Sequence, residues 1–171
     1  MELKNLELFD DFGNVLTKTR TSSKVRKFVN EDTSKKYPIL NGLKDFFSNK
    51  DTVDLVRSLN PDREKEFPNH LRIEIIKDVG QSWLEPHCDI SEKYLSLLIF
   101  INDCGELEEI GTDLYDAELK KVKTVPYVDN TGYFFYPANN TWHGLELKTI
   151  KTHRKIVMVN YVSFETEIRL K

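Results

Sequence analysis

Residues 71–164 read as a run of short strands punctuated by turn signals, and no other feature restricts the possible folds as much. The segments 71–77, 83–87, 94–101, 109–115, 122–128, 132–136, 142–147 and 154–164 are candidate strands, rich in β-branched and aromatic residues. Such residues suit a pleated, half-buried surface. Between them lie Val79-Gly80, Ser91-Glu92, Asn102-Asp103-Cys104-Gly105, Asp129-Asn130-Thr131-Gly132 and Pro137-Ala138-Asn139-Asn140. Gly and Asn tolerate the positive φ of tight turns, and Pro presets the backbone. Many short strands at regular spacing make a sandwich or a barrel. The chain has no internal repeat, no low-complexity tract and neither a GxGxxG nor a P-loop.

Upstream, the periodicity changes. Ile39, Leu40, Leu43, Phe46 and Phe47 recur at helical spacing and form one apolar stripe. A second helix is expected from Asp51, as N-cap, through Val53, Leu55, Val56 and Leu59, and Asn60-Pro61 stops it. Helices confined to one end of the sequence suit a layer packed on one sheet. Before them, Leu3 to Phe9 and Val15-Leu16 suggest two strands around a turn at Asp10 to Asn14, and the polar, basic segment 17–36 reads as a loop or flap. The expected organisation is one domain over 1–171, with flap and supporting helices in 1–70 and the β core in 71–164.

Charge and length narrow the function. With 25 Lys+Arg against 28 Asp+Glu the net charge is −3, which argues against a nucleic-acid partner. No apolar run reaches the ~18 residues needed to cross a bilayer. Residues 1–10 are too acidic for a secretory leader. Two cysteines, Cys88 and Cys104, make no disulfide framework. A reducing cytoplasm is the expected setting, and oligomeric state is left open.

Within the strand region lies Pro86-His87-Cys88-Asp89. Strand periodicity lets His87 and Asp89 point the same way. Alone the pair means little: 4 His and 13 Asp give about 0.3 His-x-Asp pairs by chance. His143, in Asn140-Thr141-Trp142-His143-Gly144, opens another strand 54 residues after Asp89, and Arg154 follows 11 residues later. Two imidazoles and one carboxylate on one face of a metal leave the opposite face open, the pattern of non-haem Fe(II) oxygenases. A guanidinium near the start of the last strand can grip a carboxylate through paired hydrogen bonds.

The order His87-x-Asp89, His143, Arg154, set among these strands, resembles the Fe(II)- and 2-oxoglutarate-dependent dioxygenases, and more narrowly their small prolyl-hydroxylase-like and phage-type members. The resemblance covers roughly 71–164. It includes Lys93-Tyr94-Leu95-Ser96-Leu97-Leu98-Ile99-Phe100, Gly111-Thr112-Asp113-Leu114-Tyr115, Gly132-Tyr133-Phe134-Phe135 and Val159-Asn160-Tyr161. It implies a mainly β fold, a double-stranded β-helix or distorted jelly roll, with the N-terminal helices on one sheet. It implies Fe(II) held by His87, Asp89 and His143, and 2-oxoglutarate as co-substrate with its distal carboxylate on Arg154. It also implies O2 as reactant, succinate and CO2 as products, and hydroxylation of a small-molecule or peptidyl substrate. Asp89 favours hydroxylation over halogenation, since similar halogenases have a small residue there.

The chain also departs from that pattern. Prolyl hydroxylases often carry a tyrosine, in contact with the co-substrate, where this chain has Asp78. That contact falls to Tyr115 or Tyr133, or is absent. Thr112 and Asn160 are further candidates for holding the co-substrate, each with a purely structural alternative. His153, next to Arg154, should face the other side of its strand and lie at the surface. Two rival readings are a non-catalytic jelly-roll module binding sugar or peptide, and a cupin-like metalloenzyme. Cupins usually show a denser His/Glu cluster than this chain has.

Overall fold

The computed structural model describes residues 13–16 and 20–170, with side chains from Arg26 onward. The strand expected around Leu3 to Phe9 lies outside the described residues. Among the described residues, nine strands, β1 (Gly13–Leu16), β2 (Arg20–Phe28), β3 (His70–His87), β4 (Lys93–Ile101), β5 (Thr112–Tyr115), β6 (Lys121–Val125), β7 (Gly132–Phe135), β8 (His143–Val162) and β9 (Ile168–Arg169), form the β framework. Three helices, α1 (Glu31–Lys36), α2 (Ile39–Ser48) and α3 (Lys50–Ser58), precede β3.

The long strands β3 and β8 run antiparallel from His70↔Val162 to His87↔His143 at the centre of one nine-stranded sheet. The C-terminal half of β8 carries β4, with β7 beyond it, while β2 and then β1 extend the other flank of β3. The first residues of β8, His143 and Gly144, pair instead with β5, which pairs with β6. This is the double-stranded β-helix expected, left open at its edges. Each long strand absorbs two of the short ones read from sequence. Val79-Gly80 does not reverse the chain. Gly80, at φ +67°, sits where the β3–β8 register shifts, so its left-handed backbone makes a bulge that bends the strand.

Alternation along β3 and β8 sorts residues into two cores. Leu71, Ile73, Ile75, Val157, Val159 and Tyr161 pack with Leu40, Leu43, Phe47 and Val53 of the helices. The opposite parity gives Ile76 and Ile156, which pack with Phe100, Ile110, Tyr127 and Ile150. Each fully buried Ile or Leu contributes roughly 1.5–3 kcal/mol. The Tyr161 hydroxyl donates to the Phe47 carbonyl at 2.8 Å and pins the helix layer to the sheet.

Several local expectations change. Within the segment expected to be a loop, the described residues are ordered elements: 20–28 is strand and 31–36 is helix. The edge of β3 supplies the hydrogen-bonding ladder that an apolar pattern did not announce. Asn30 Oδ1 then accepts from the Thr33 amide at 2.8 Å, and Thr33 Oγ1 from the Asn30 amide at 2.9 Å, closing a capping box on α1. The N-cap of α3 is Asn49, not Asp51. Asn49 Oδ1 accepts from Thr52 N while its amide N–H bonds Asp45 O, so one residue ends α2 and starts α3. Phe46, Leu55 and Leu59 are exposed rather than part of the packed stripes.

Candidate metal centre

The end of the β3–β8 ladder creates the site. His87 and His143 are direct cross-strand partners, with ring centroids 4.4 Å apart. Asp89 follows two residues after β3 ends. One potential ligand atom from each of the three residues lies within 4.8 Å of the others. Both rings are oriented by backbone carbonyls: His87 Nδ1 lies 2.9 Å from Glu85 O and His143 Nδ1 3.0 Å from Thr141 O. A protonated Nδ1 donates in each case, which leaves both Nε2 lone pairs available to a metal. Gly144 permits the close approach, because a Cβ there would lie 2.7 Å from Leu84 O.

Asp89 is held on both oxygens. Lys93 Nζ donates to Oδ1 at 2.7 Å and Ser96 Oγ to Oδ2 at 2.8 Å. Ser96 also lies 2.9 Å from the Asn160 side-chain amide, recorded as its oxygen, while Asn160 Nδ2 has no partner. One hydroxyl proton cannot serve two acceptors. The consistent assignment turns that amide, so Asn160 donates to Ser96 and Ser96 donates to Asp89. Burial pushes the Asp89 carboxyl up, but Lys93 and Ser96 outweigh it and hold it below its ordinary value. Burial pushes the His143 imidazole and the Lys93 ammonium down, although Asp89 opposes both shifts.

Beside the three residues lies a cavity of about 130 Å³, well above the ~10–15 Å³ that admits one water. Its lining includes Asp78, Ser82, Thr112, Tyr133 and Arg154. Arg154 is buried and its Nη1 donates to Asp78 Oδ2 at 2.9 Å. Arg154 Nε, the Tyr133 hydroxyl and Ser82 Oγ are buried without hydrogen-bond partners. Tyr133 lies beside Thr112 outside good hydrogen-bond geometry, and burial raises its phenol to about 12.

Of the residues singled out from sequence, His87, Asp89, His143, Thr112, Tyr133 and Arg154 line this cavity. Tyr115 does not. It is buried on β5, and burial pushes its phenol to about 12. Asn160 also lies off the cavity and reaches Asp89 only through Ser96. Sequence reasoning missed Ser82 and Ser96, and did not assign Lys93 to Asp89. Ser96 carries no signal of its own in the sequence, and only the β4–β8 register sets it against Asn160. Arg26, from the segment expected to be a flap, lines the cavity too.

A second group, Asp103, Cys104 and His153, also brings potential ligands together. Its carboxylate is already engaged by Lys155 Nζ and His153 Nε2, each at 2.7 Å. His153 is therefore partly buried against Asp103 rather than at the surface.

No family model matches the chain, and no curated protein matches it in sequence. Solved structures match its fold. A prolyl-4-hydroxylase from Pseudomonas putida aligns with a TM-score of 0.55 at 9% identity, covering 91% of this chain and 78% of that one. The dioxygenase for auxin oxidation from Arabidopsis thaliana, in complex with 2-oxoglutarate, aligns at 0.52 and 14%, covering 98% and 73%. HygX from Streptomyces hygroscopicus, with nickel and 2-oxoglutarate bound, aligns at 0.50 and 15%, covering 92% and 76%. At these identities the likeness is one of fold.

Proposed function

We propose that this protein is an Fe(II)- and 2-oxoglutarate-dependent dioxygenase that hydroxylates an organic substrate. One observation carries the reading: two imidazoles and a carboxylate converge at a cavity that also contains a buried guanidinium. Two nitrogens and one oxygen on one face suit a first-row divalent ion and leave coordination positions for a chelating 2-oxo acid and O2. The unpartnered Arg154 Nε, Tyr133 hydroxyl and Ser82 hydroxyl are donors suited to a carboxylate. Asp89, His87 and His143 would hold the metal, and Arg154, with Thr112 and Tyr133 nearby, would hold the distal end of 2-oxoglutarate.

Bound Fe(II) supplies O2 activation coupled to decarboxylation of the 2-oxo acid to succinate and CO2. The residues of this chain bind and orient. Glu85 and Thr141 fix the imidazoles, and Lys93 with the Asn160–Ser96 relay keeps Asp89 ionised. The free thiols Cys88 and Cys104 are consistent with a reducing cytoplasm. No helix is long and apolar enough to cross a membrane among the described residues.

The test is succinate formation from 2-oxoglutarate by the Fe(II)-loaded protein, measured with and without candidate small-molecule and peptidyl substrates. Turnover should vanish in His87→Ala and Asp89→Ala. Arg154→Ala should retain metal and raise the KM for 2-oxoglutarate. A sugar- or peptide-binding module would produce no succinate and would be indifferent to chelators.

A further inference from the structure

We propose that Asp78 is a built-in rival of the co-substrate for Arg154 and sets how tightly this chain takes up 2-oxoglutarate, an inference that rests on the functional reading above. Asp78 and Arg154 face each other across the β3–β8 ladder, where side chains on one face lie in direct reach. Their side chains are 8% and 7% exposed and share the 2.9 Å bond, and both line the cavity. A buried guanidinium needs a counter-ion, and Asp78 supplies it from within the chain.

The charge balance follows directly. Among the described residues, the cations lining the cavity are Arg26, Lys93 and Arg154; Arg26 pairs with Glu74, which Arg72 shares, Lys93 with Asp89 and Arg154 with Asp78. The distal carboxylate of a 2-oxo diacid therefore meets a guanidinium whose charge is already matched. It binds through the remaining donors, such as the unpartnered Nε, against repulsion from the Asp78 carboxylate. Asp78 is a positioning residue here: it acts through Arg154.

Asp78→Asn keeps the size of the side chain and an acceptor for Arg154 while removing the charge. Binding would be measured by isothermal titration to nickel-loaded protein, using 2-oxoglutarate and 2-oxopentanoate, which ends in a methyl instead of the distal carboxylate. The variant should bind 2-oxoglutarate about tenfold more tightly or better, with 2-oxopentanoate unchanged. Metal-free Asp78→Asn should melt lower than wild type, because the guanidinium loses its counter-ion. Equal or weaker binding of 2-oxoglutarate by the variant, or an equal gain for both acids, overturns the proposal.

A measurement on the wild type needs no variant to fold. It should prefer 2-oxoglutarate over 2-oxopentanoate by less than about tenfold, and a larger preference contradicts a neutralised Arg154. If nickel-loaded wild type and variant both fail to bind 2-oxoglutarate, the functional reading falls and this inference with it.

Discussion

Asp89 shows how much of this site is made by residues that would never touch a metal. Its two oxygens are engaged by Lys93 and Ser96, and Asn160 orients Ser96 from the neighbouring strand. Outer partners of this kind typically alter metal affinity by 10–100-fold, on the order of two decades at most. Ser96→Ala should therefore weaken Fe(II) or nickel binding within that range, read by titration, while leaving the melting temperature of the metal-free protein within a few degrees. Unchanged affinity would remove Ser96 from the site. At this scale the residues that converge on the cavity, and their order, could be read from the chain, because His-x-Asp, His and Arg carry chemistry that few other residues do. The supporting shell could not. Serine, asparagine and lysine are common, and their meaning here comes from cross-strand register.

The strands β3 and β8 carry the geometry, and their irregularities do much of the positioning. Gly80 bends β3, and Gly144 lets β8 start against the backbone of residues 84–86. A methyl at Gly144 would meet Leu84 O at 2.7 Å, so Gly144→Ala must push the start of β8 away and take His143 with it. The expected cost is roughly 1–3 kcal/mol in urea unfolding, with a clear loss of metal affinity. Retained affinity would mean that His143 is placed by something other than this contact. The sequence suggested a turn at Val79-Gly80 and a break before Arg154, because a glycine with positive φ looks the same locally in a turn and in a bulge. Only pairing with a partner strand separates the two.

A second element-scale device ties the loop after β4 to β8. Asp103 binds both His153 and Lys155. Burial raises its carboxyl, but bonds from Lys155 and His153 prevail and hold it below the ordinary 3.8. A lowered folded pKa means this stabilisation is complete above about pH 4 and drains away as pH falls through the folded value. Asp103→Asn should lose roughly 1–3 kcal/mol at pH 7. It should also show a flatter fall in urea midpoint below pH 4 than wild type. Parallel acid limbs would show that the clamp contributes nothing.

Across the whole molecule, the two cores divide the labour. The helices and one face of β3 and β8 build a conventional apolar layer, which periodicity in α2 announced through Leu40, Leu43 and Phe47. The opposite face turns polar as it approaches the site, through Arg154, Asp78, Ser96 and Asn160, and its meaning depends on closure between distant strands. That is why a β sandwich or barrel with a helix layer could be read from composition and spacing, whereas the length of β3 and β8 and the strand character of 20–28 could not.

The central claim is that His87, Asp89 and His143 hold a metal to which 2-oxoglutarate binds, with Arg154 at its far end. Its most direct test is the visible absorption of the protein under anaerobic conditions, with Fe(II) and then 2-oxoglutarate added. A weak charge-transfer band should appear only with both present and be absent in His87→Ala and Asp89→Ala. In Arg154→Ala it should need at least about tenfold more 2-oxoglutarate. No band in wild type, or an equal band in the His87→Ala protein, would contradict the account.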